Sequence, residues 1–150
     1  MPAKLTPTVE KVDAGYLESL IGYNASRVSL AVVTVFLERM AVYGMKPVIF
    51  SVLSLITHNP GITSRQLCSS LGILPPNLVG MVNTLEQRAL ISRKPHPRDG
   101  RAMGLHLTPA GQKLIQDAER TATELEGEVA SRLSASELKT LIRLLQKIYA

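Results

Sequence analysis

The segment from Ile73 to Leu107 constrains the fold most, because a helical pattern runs directly into an alternating, basic pattern. Its first half predicts a helix from Pro75 onward, since proline suits a first helical turn. Apolar residues recur at the spacing of a helix that buries one face, at Leu78, Val79, Val82, Leu85 and Ala89. The opposite face is polar with little charge and carries Asn77, Gly80, Asn83, Thr84 and Gln87. Asparagine and glutamine can pair bidentately with adenine, so this face suits base edges.

The second half of the segment predicts a β-hairpin. Ile91, Arg93 and Pro95 alternate with polar neighbours in the first strand. The second strand runs from Ala102 to Leu107, and the sequence from Pro97 to Gly100 supplies turn residues. Against the single acid Asp99, the hairpin region carries the basic residues Arg88, Arg93, Lys94, Arg98 and Arg101. Arginines projecting from a hairpin tip suit a narrow, electronegative minor groove.

A helix of this kind followed by a basic hairpin is typical of a winged helix-turn-helix. The stretch also resembles the MarR family of bacterial transcription regulators, whose wing carries Asp-x-Arg and ends in Leu-Thr-x-x-Gly. Those motifs stand here as Asp99-Gly100-Arg101 and Leu107-Thr108-Pro109-Ala110-Gly111, and the resemblance extends from about Leu20 to the C-terminus. Gly100 replaces a second wing arginine and Ala89 replaces a glycine. Leu74 and Pro76 stand where small hydroxyl residues are usual, which favours apolar contacts with thymine methyl groups.

The remaining pattern is helical, which predicts a mainly α fold with one small β-hairpin. A helix is expected from Tyr16 to about Met40, and from Ala31 to Leu37 it is apolar nearly all round. We therefore expect it to pack partly against a second subunit. Pro47 begins a further helix to about Thr57. Thr63 with Gln66 has the form of a capping box and begins a helix-turn-helix that ends at Ala89.

Two helices are predicted after the hairpin. Thr108 can cap a long helix to about Arg132, with Pro109 in its first turn. Ser134 and Glu137 repeat the capping-box form, and the last helix has an apolar stripe at Leu138, Leu141, Ile142, Leu145 and Ile148. We expect a single domain over 1–150, with a flexible arm at 1–15 and a winged helix-turn-helix lobe at 45–107. The dimerisation helices are expected at 16–43 and 109–150.

Composition allows nucleic-acid binding without requiring it. The net charge is +5, the apolar content is 45%, and the single cysteine excludes an internal disulfide. The sequence has no N-terminal apolar segment of the kind that directs export. Its longest apolar run, Val28 to Leu37, is too short to span a bilayer. The expectation is a cytoplasmic protein without a membrane partner.

No constellation for enzymatic chemistry is recognisable in the sequence, so no enzyme, cofactor or metal site is predicted. Glu124, Glu126 and Glu128 are typical of a solvated helix face. Cys68 is expected to pack as a small hydrophobe and His58 to lie at a helix end. His96 and His106 could approach each other across the hairpin beside Asp99, but no further ligand completes a metal site, which favours phosphate contact or strand surface.

Two groups of residues are candidates for DNA contact. The recognition-helix group, for base edges or adjacent phosphates, comprises Pro76, Asn77, Gly80, Asn83 and Thr84. The group for the minor groove and phosphates comprises Arg65, Lys94, Arg98, Asp99 and Arg101, in which Asp99 would orient Arg101 through a charge-assisted bond. In a dimer the recognition helices would enter major grooves at half-sites about 10 bp apart.

The family resemblance also implies an effector pocket between the dimerisation helices and the DNA-binding lobe. Arg27 follows Tyr23 on one face of the first helix, and a guanidinium can hold a carboxylate with two parallel bonds. We expect Arg27, Tyr23 and Tyr43 to receive an anionic aromatic effector, although a salt bridge or a dimer-rim position would also explain Arg27. The predicted function is a homodimeric, ligand-responsive repressor. The alternative is a winged-helix interaction module without DNA binding, which would not need Arg98 and Arg101 at an exposed tip.

Overall fold

A computed structural model of the protein describes residues 9–150. Its seven helices are α1 (Gly15–Glu18), α2 (Ile21–Met40), α3 (Pro47–His58), α4 (Ser64–Leu71), α5 (Pro75–Gln87), α6 (Pro109–Val129) and α7 (Ala135–Tyr149). Its strands are β1 (Ile62–Thr63), β2 (Ile91–Pro95) and β3 (Met103–Leu107), and a 3-10 turn spans Ala41–Tyr43. The mainly helical fold is confirmed. Most of the predicted arm, residues 1–8, lies outside the described residues.

The first predicted helix is broken, so the expectation of one helix from Tyr16 to Met40 was wrong. Leu20 has extended backbone angles (φ −97°, ψ 133°) between α1 and α2. Asn24 Nδ2 bonds across the break, because it donates to the carbonyl oxygens of Glu18 at 2.7 Å and Leu20 at 2.8 Å. The first bond satisfies a carbonyl at the end of α1, whereas the Leu20 carbonyl also accepts from Asn24 N at 3.2 Å.

The helix-turn-helix is α4 and α5, packed on α3. The predicted capping box is confirmed, because the Thr63 hydroxyl accepts from Gln66 N and the Gln66 side chain accepts from Thr63 N. Gly72 ends α4 in the left-handed conformation (φ 63°), which turns the chain toward α5. The core beneath these helices is aliphatic and includes Val52, Leu53, Ile56, Leu67, Leu78, Val82 and Leu85.

The predicted hairpin belongs to a three-stranded antiparallel sheet of order β1-β3-β2. Ile91 pairs with Leu107 and Arg93 with Leu105, while Ala102 precedes the second strand instead of beginning it. The short β1 was not predicted; it pairs Ile62 with Leu105. A Cβ on Gly104 would lie 2.9 Å from the Gly61 carbonyl oxygen, so glycine is required where β3 passes this loop.

The Leu-Thr-x-x-Gly motif joins the wing, α6 and the end of α5. Thr108 caps α6 by accepting from Gly111 N at 3.1 Å, and its hydroxyl donates to the Ala89 carbonyl at 2.6 Å. Gly111 is buried, and a Cβ there would lie 2.0 Å from the Leu90 carbonyl oxygen. The motif therefore fixes α6 directly against the segment that leaves the recognition helix.

Helix α6 packs on α2 and α3, and it ends at Val129 instead of the predicted Arg132. The capping box at Ser134 and Glu137 is confirmed at the start of α7. No residue of α7 is buried, and its exposed apolar residues include Leu141, Ile142, Leu144, Leu145 and Ile148.

Among residues 9–150 no single helix is long and apolar enough to cross a membrane. One pair, Ile21–Tyr43 with Pro47–His58, meets the criterion of length and composition only when taken together, and it is bent by 68°.

Candidate nucleic-acid interface

Helix α5 presents a polar face to solvent. Leu78, Val82 and Leu85 face the core, and every predicted contact residue on the other side is exposed: Pro76, Asn77, Gly80, Asn83 and Thr84. A Cβ on Gly80 would meet nothing within 4 Å, so the helix surface there is open to close approach. The Thr84 hydroxyl donates to the Gly80 carbonyl at 2.9 Å, which leaves it an acceptor toward a ligand.

Two of the apolar positions expected to be buried on α5 are not. Val79 is 55% exposed, and Ala89 lies beyond the end of the helix. Leu74, the residue just before the helix, is 69% exposed. The exposed surface therefore includes apolar groups beside the polar ones, and such groups can contact a thymine methyl.

The wing tip is ordered by local hydrogen bonds. Asp99 Oδ1 accepts from the backbone N–H of Arg101 at 3.0 Å, and the Asp99 carbonyl accepts from Ala102 N at 3.0 Å. His96 Nδ1 accepts from Arg98 N at 3.3 Å, and His96 N donates to the Ala102 carbonyl at 2.9 Å. A carboxylate accepting from a backbone N–H is a charge-assisted bond, so Asp99 shapes the loop that carries the exposed Arg98 and Arg101.

Arg93 joins the wing to the recognition helix, and the sequence pattern alone did not single it out. Its Nη2 donates to Asn83 Oδ1 at 2.7 Å, and its Nε donates to Glu86 Oε2 at 3.1 Å. Strand alternation was the available signal, because Arg93 shares the face of the buried Ile91. Lys94, the next residue, lies on the opposite face and is exposed.

Arg65 lies at the start of α4, beside a groove of about 710 Å³ that also contacts His96 of the wing. The residue is exposed, as a phosphate contact requires. The two wing histidines do not face each other, because His106 pairs with Ser92 and His96 lies beyond the end of β2. No cluster of three metal-ligating side chains occurs within residues 9–150.

The predicted effector residues divide into two places. Tyr23 is half-buried and Arg27 exposed, four residues apart on α2 and hence on one face of it. Tyr43 lies about 25 Å further along the helix and the following turn. Its hydroxyl is 2.9 Å from Thr121 Oγ1 and donates to the Asp117 carbonyl at 3.4 Å, both on α6. A compact ligand therefore cannot contact Arg27 and Tyr43 of the same chain together.

Side-chain bonds also tie α6 to the helices around the predicted effector region. Glu119 accepts from Ser54 Oγ at 2.7 Å and is 2.9 Å from Nε2 of His58, the last residue of α3. Arg39 of α2 pairs with Glu128, while Glu124 and Glu126 are exposed as expected. Cys68 is half-buried against the core. Helix α6 is thus bonded through side chains to both α2 and α3.

A recognition helix with an exposed polar face, bonded to a basic hairpin, defines a winged helix-turn-helix protein of the DNA-binding class. A sequence model described as the MarR family matches residues 43–102. The chain belongs to the MarR family of transcriptional regulators, and it is therefore a regulator rather than an enzyme.

Similar proteins span nearly the whole chain. The transcriptional repressor CouR bound to a 23-mer DNA duplex is 34% identical, with a TM-score of 0.86 over 93% of this chain and 99% of that one. CouR bound to p-coumaroyl-CoA is 33% identical, with a TM-score of 0.80 over 92% of this chain and 97% of that one. A putative transcriptional regulatory protein for the hcr operon of Thauera aromatica is 29% identical over 90% of this chain and 82% of its own.

Proposed function

We propose that the protein is a homodimeric repressor that binds a pseudo-palindromic operator. The observation that carries this proposal is the continuous surface formed by the exposed face of α5 and the wing to which Arg93 bonds it. Each recognition helix would enter a major groove, with half-sites about 10 bp apart, and Arg98 and Arg101 would contact the adjacent minor groove or its phosphates. Arg65 and Lys94 would add contacts that are blind to sequence.

Dimerisation is supported by apolar surface that a single chain leaves uncovered. Helix α2 exposes Val28, Leu30 and Leu37, and α7 exposes apolar residues from Leu141 to its end. Exposed apolar faces of this extent are typical of protein interfaces. A dimer built on these helices would separate the two recognition helices by a distance that an effector could change.

The proposed effector is an aromatic acyl-CoA thioester, in place of the aromatic carboxylate that the sequence led us to expect. A repressor one-third identical to this chain binds p-coumaroyl-CoA. A CoA thioester is long and carries anionic phosphates away from its acyl group. Such a ligand suits a region in which the cationic Arg27 and the aromatic Tyr23 lie on α2 and the aromatic Tyr43 lies in the 3-10 turn after it.

The DNA-binding proposal is tested by selecting bound duplexes from random DNA and titrating the best one at two salt concentrations. A two-fold-symmetric site whose affinity falls steeply with salt is the expected result, since phosphate contacts release counterions. Binding no better than to random DNA would favour a protein-interaction module instead.

The effector proposal is tested by release of labelled operator with p-coumaroyl-CoA, free p-coumarate and CoA alone. Release by the thioester at the lowest concentration is expected. Arg27→Ala should then require at least tenfold more thioester, because a charge-assisted anion contact is lost. Lys113→Ala, which removes an exposed cation on α6, is the matched control and should respond like the wild type. Equal responses of the two variants would remove Arg27 from the effector site.

A further inference from the structure

The bond from Arg93 to Asn83 bears on which base the recognition helix selects. Asn83 lies on the exposed side of α5, near Gly80 and Thr84, and its amide is the group within reach of the wing. Arg93 Nη2 lies 2.7 Å from the amide oxygen, while Nε of the same guanidinium lies 3.1 Å from Glu86 Oε2. One guanidinium therefore holds two side chains of the recognition helix.

The chemistry of arginine fixes which end of the amide faces the wing. A guanidinium has donors only, so the atom bonded to it must be the Asn83 oxygen. The amide nitrogen, with its two N–H donors, is then directed away from the guanidinium. Glu86 restrains the guanidinium at its second position, so the amide is held against rotation.

Because Arg93 already occupies one lone pair of the Asn83 oxygen and restrains the direction of the amide, Asn83 offers a base its two N–H donors more readily than its oxygen. Bidentate adenine recognition needs the amide oxygen to accept from N6 while the nitrogen donates to N7. Guanine instead presents two adjacent acceptors, N7 and O6, in the major groove, whereas thymine presents one acceptor beside its methyl group and cytosine presents only a donor. An amide that presents its two N–H donors therefore matches guanine best.

We propose that Arg93 is a positioning residue that makes Asn83 select guanine at one position of each operator half-site. The inference rests on the proposed operator binding and goes beyond it by naming a base and the residue that sets it. Asn83 is the contact residue, and Arg93 acts through it. Arg93 also pairs with the Glu86 carboxylate, which lowers the negative charge that the recognition helix brings to DNA.

The strand supplies a matched control. Arg93 and Lys94 are consecutive, so they lie on opposite faces of β2 and only Arg93 reaches α5. Arg93→Met and Lys94→Met each remove one positive charge and keep an unbranched apolar stem. Any effect of charge alone on affinity is shared by the two variants, whereas a change of base preference is expected of Arg93→Met only.

The experiment is selection from random duplexes by wild type, Arg93→Met, Lys94→Met and Asn83→Asp, with full-length dimers of verified thermal stability. We expect the wild type to favour guanine over adenine about tenfold at one symmetric pair of positions. Arg93→Met should lose that preference and admit adenine there, since the amide can then turn. Lys94→Met should keep the preference while binding all sequences more weakly.

Asn83→Asp keeps an oxygen for Arg93 and replaces the donor with an acceptor. It should exchange guanine for cytosine at the same position, because a carboxylate accepts from cytosine N4. If Arg93→Met does not fold, the base preference of Asn83→Asp tests the proposal by itself. A selected operator whose base preferences are unchanged in Asn83→Asp or in folded Arg93→Met would overturn this inference alone. A wild type that selects no site would overturn the proposed function with it.

Discussion

Ala89 lies where the chain leaves the recognition helix in a conformation that side chains rarely adopt. Its φ is 55°, and within residues 9–150 it is the one residue other than glycine with a positive φ. The position is held by bonds on both sides, because Ala89 N donates to the Glu86 carbonyl at 2.9 Å and the Ala89 carbonyl accepts from Thr108 Oγ1. The motif after the wing thus maintains a strained turn that also directs Leu90 into the core.

Replacing Ala89 with glycine should therefore stabilise the protein. Relief of the left-handed strain is worth about 1–2 kcal/mol, and the added freedom of the unfolded chain offsets roughly 0.4–1 kcal/mol of it. A net gain of about 0.5–1 kcal/mol in the free energy of unfolding should appear as a higher urea midpoint at unchanged slope and fixed protein concentration. Ala110→Gly, at an exposed helical position of α6, is the control and should lower the free energy of unfolding. If Ala89→Gly lowered it equally, the backbone strain inferred at Ala89 would be contradicted.

At Gly111, where α6 packs against the segment that leaves α5, we expect a substitution to destabilise the protein. Its missing Cβ would overlap the Leu90 carbonyl oxygen, and backbone atoms cannot move aside as a flexible side chain can. Gly111→Ala should cost about 3 kcal/mol of unfolding free energy, at the upper end of overpacking effects. The control lies in the same helix, since a Cβ on Gly127 would meet nothing within 4 Å. Gly127→Ala should stabilise by roughly 0.5–1 kcal/mol, so similar unfolding midpoints for the two variants would refute the steric account.

The wing is a hairpin whose hydrogen-bonded tip holds two exposed arginine side chains. Asp99 and His96 accept from the backbone N–H groups of Arg101 and Arg98, so the side chains of both arginines take no part in these bonds and stay exposed. Gly100 lies between Asp99 and Arg101, and its φ is not positive. A side chain at this position would enter open space. The tip can therefore accept a further cation without strain.

Gly100→Arg should raise operator affinity and steepen its salt dependence by about 0.9 in the log–log slope for each additional phosphate that the new side chain neutralises. Arg101→Ala should do the reverse by a similar amount. Both slopes are measured by operator titration between 50 and about 200 mM salt, the range in which counterion release dominates. Gly127→Arg adds the same charge on α6, away from the wing, and should leave the slope close to that of the wild type. Unchanged slopes for the two wing variants would place the wing outside the interface.

The elements also show what the sequence can and cannot predict. Capping boxes at Thr63 and Ser134 located two helix starts correctly, because their signal is local. The break at Leu20 carries no proline or glycine, and its stabilising donor comes from Asn24 in the next helix. Strand β1 is only two residues long and exists through pairing with β3, which no local pattern contains. The Arg93 bonds likewise depend on how the wing packs beside α5.

One chain provides a core for the winged lobe, for α6 and for the end of α2, but none for α7. Seventeen apolar residues are buried together, and they come from the lobe, α6 and the end of α2. By contrast, α7 buries none of its apolar stripe. The periodicity of the last helix predicted that stripe, yet none of its residues is buried by the rest of residues 9–150. Burial of this surface in a dimer would couple the stability of the protein to its concentration.

Ile142 offers a direct test of that arrangement, since it lies within the stripe and is 44% exposed in the single chain. Ile142→Glu would place an unpaired carboxylate in the proposed dimer interface, where burial of a charge is costly. Sedimentation equilibrium should show the wild type as a dimer and the variant as largely monomer at micromolar concentration. Thr140→Glu adds the same charge on the opposite face of α7 and should remain dimeric.

Because a monomer presents one recognition helix, Ile142→Glu should also lose high affinity for a symmetric operator while still binding DNA weakly through its wing. A variant that stays dimeric, with operator affinity like that of Thr140→Glu, would exclude this stripe from the dimer interface.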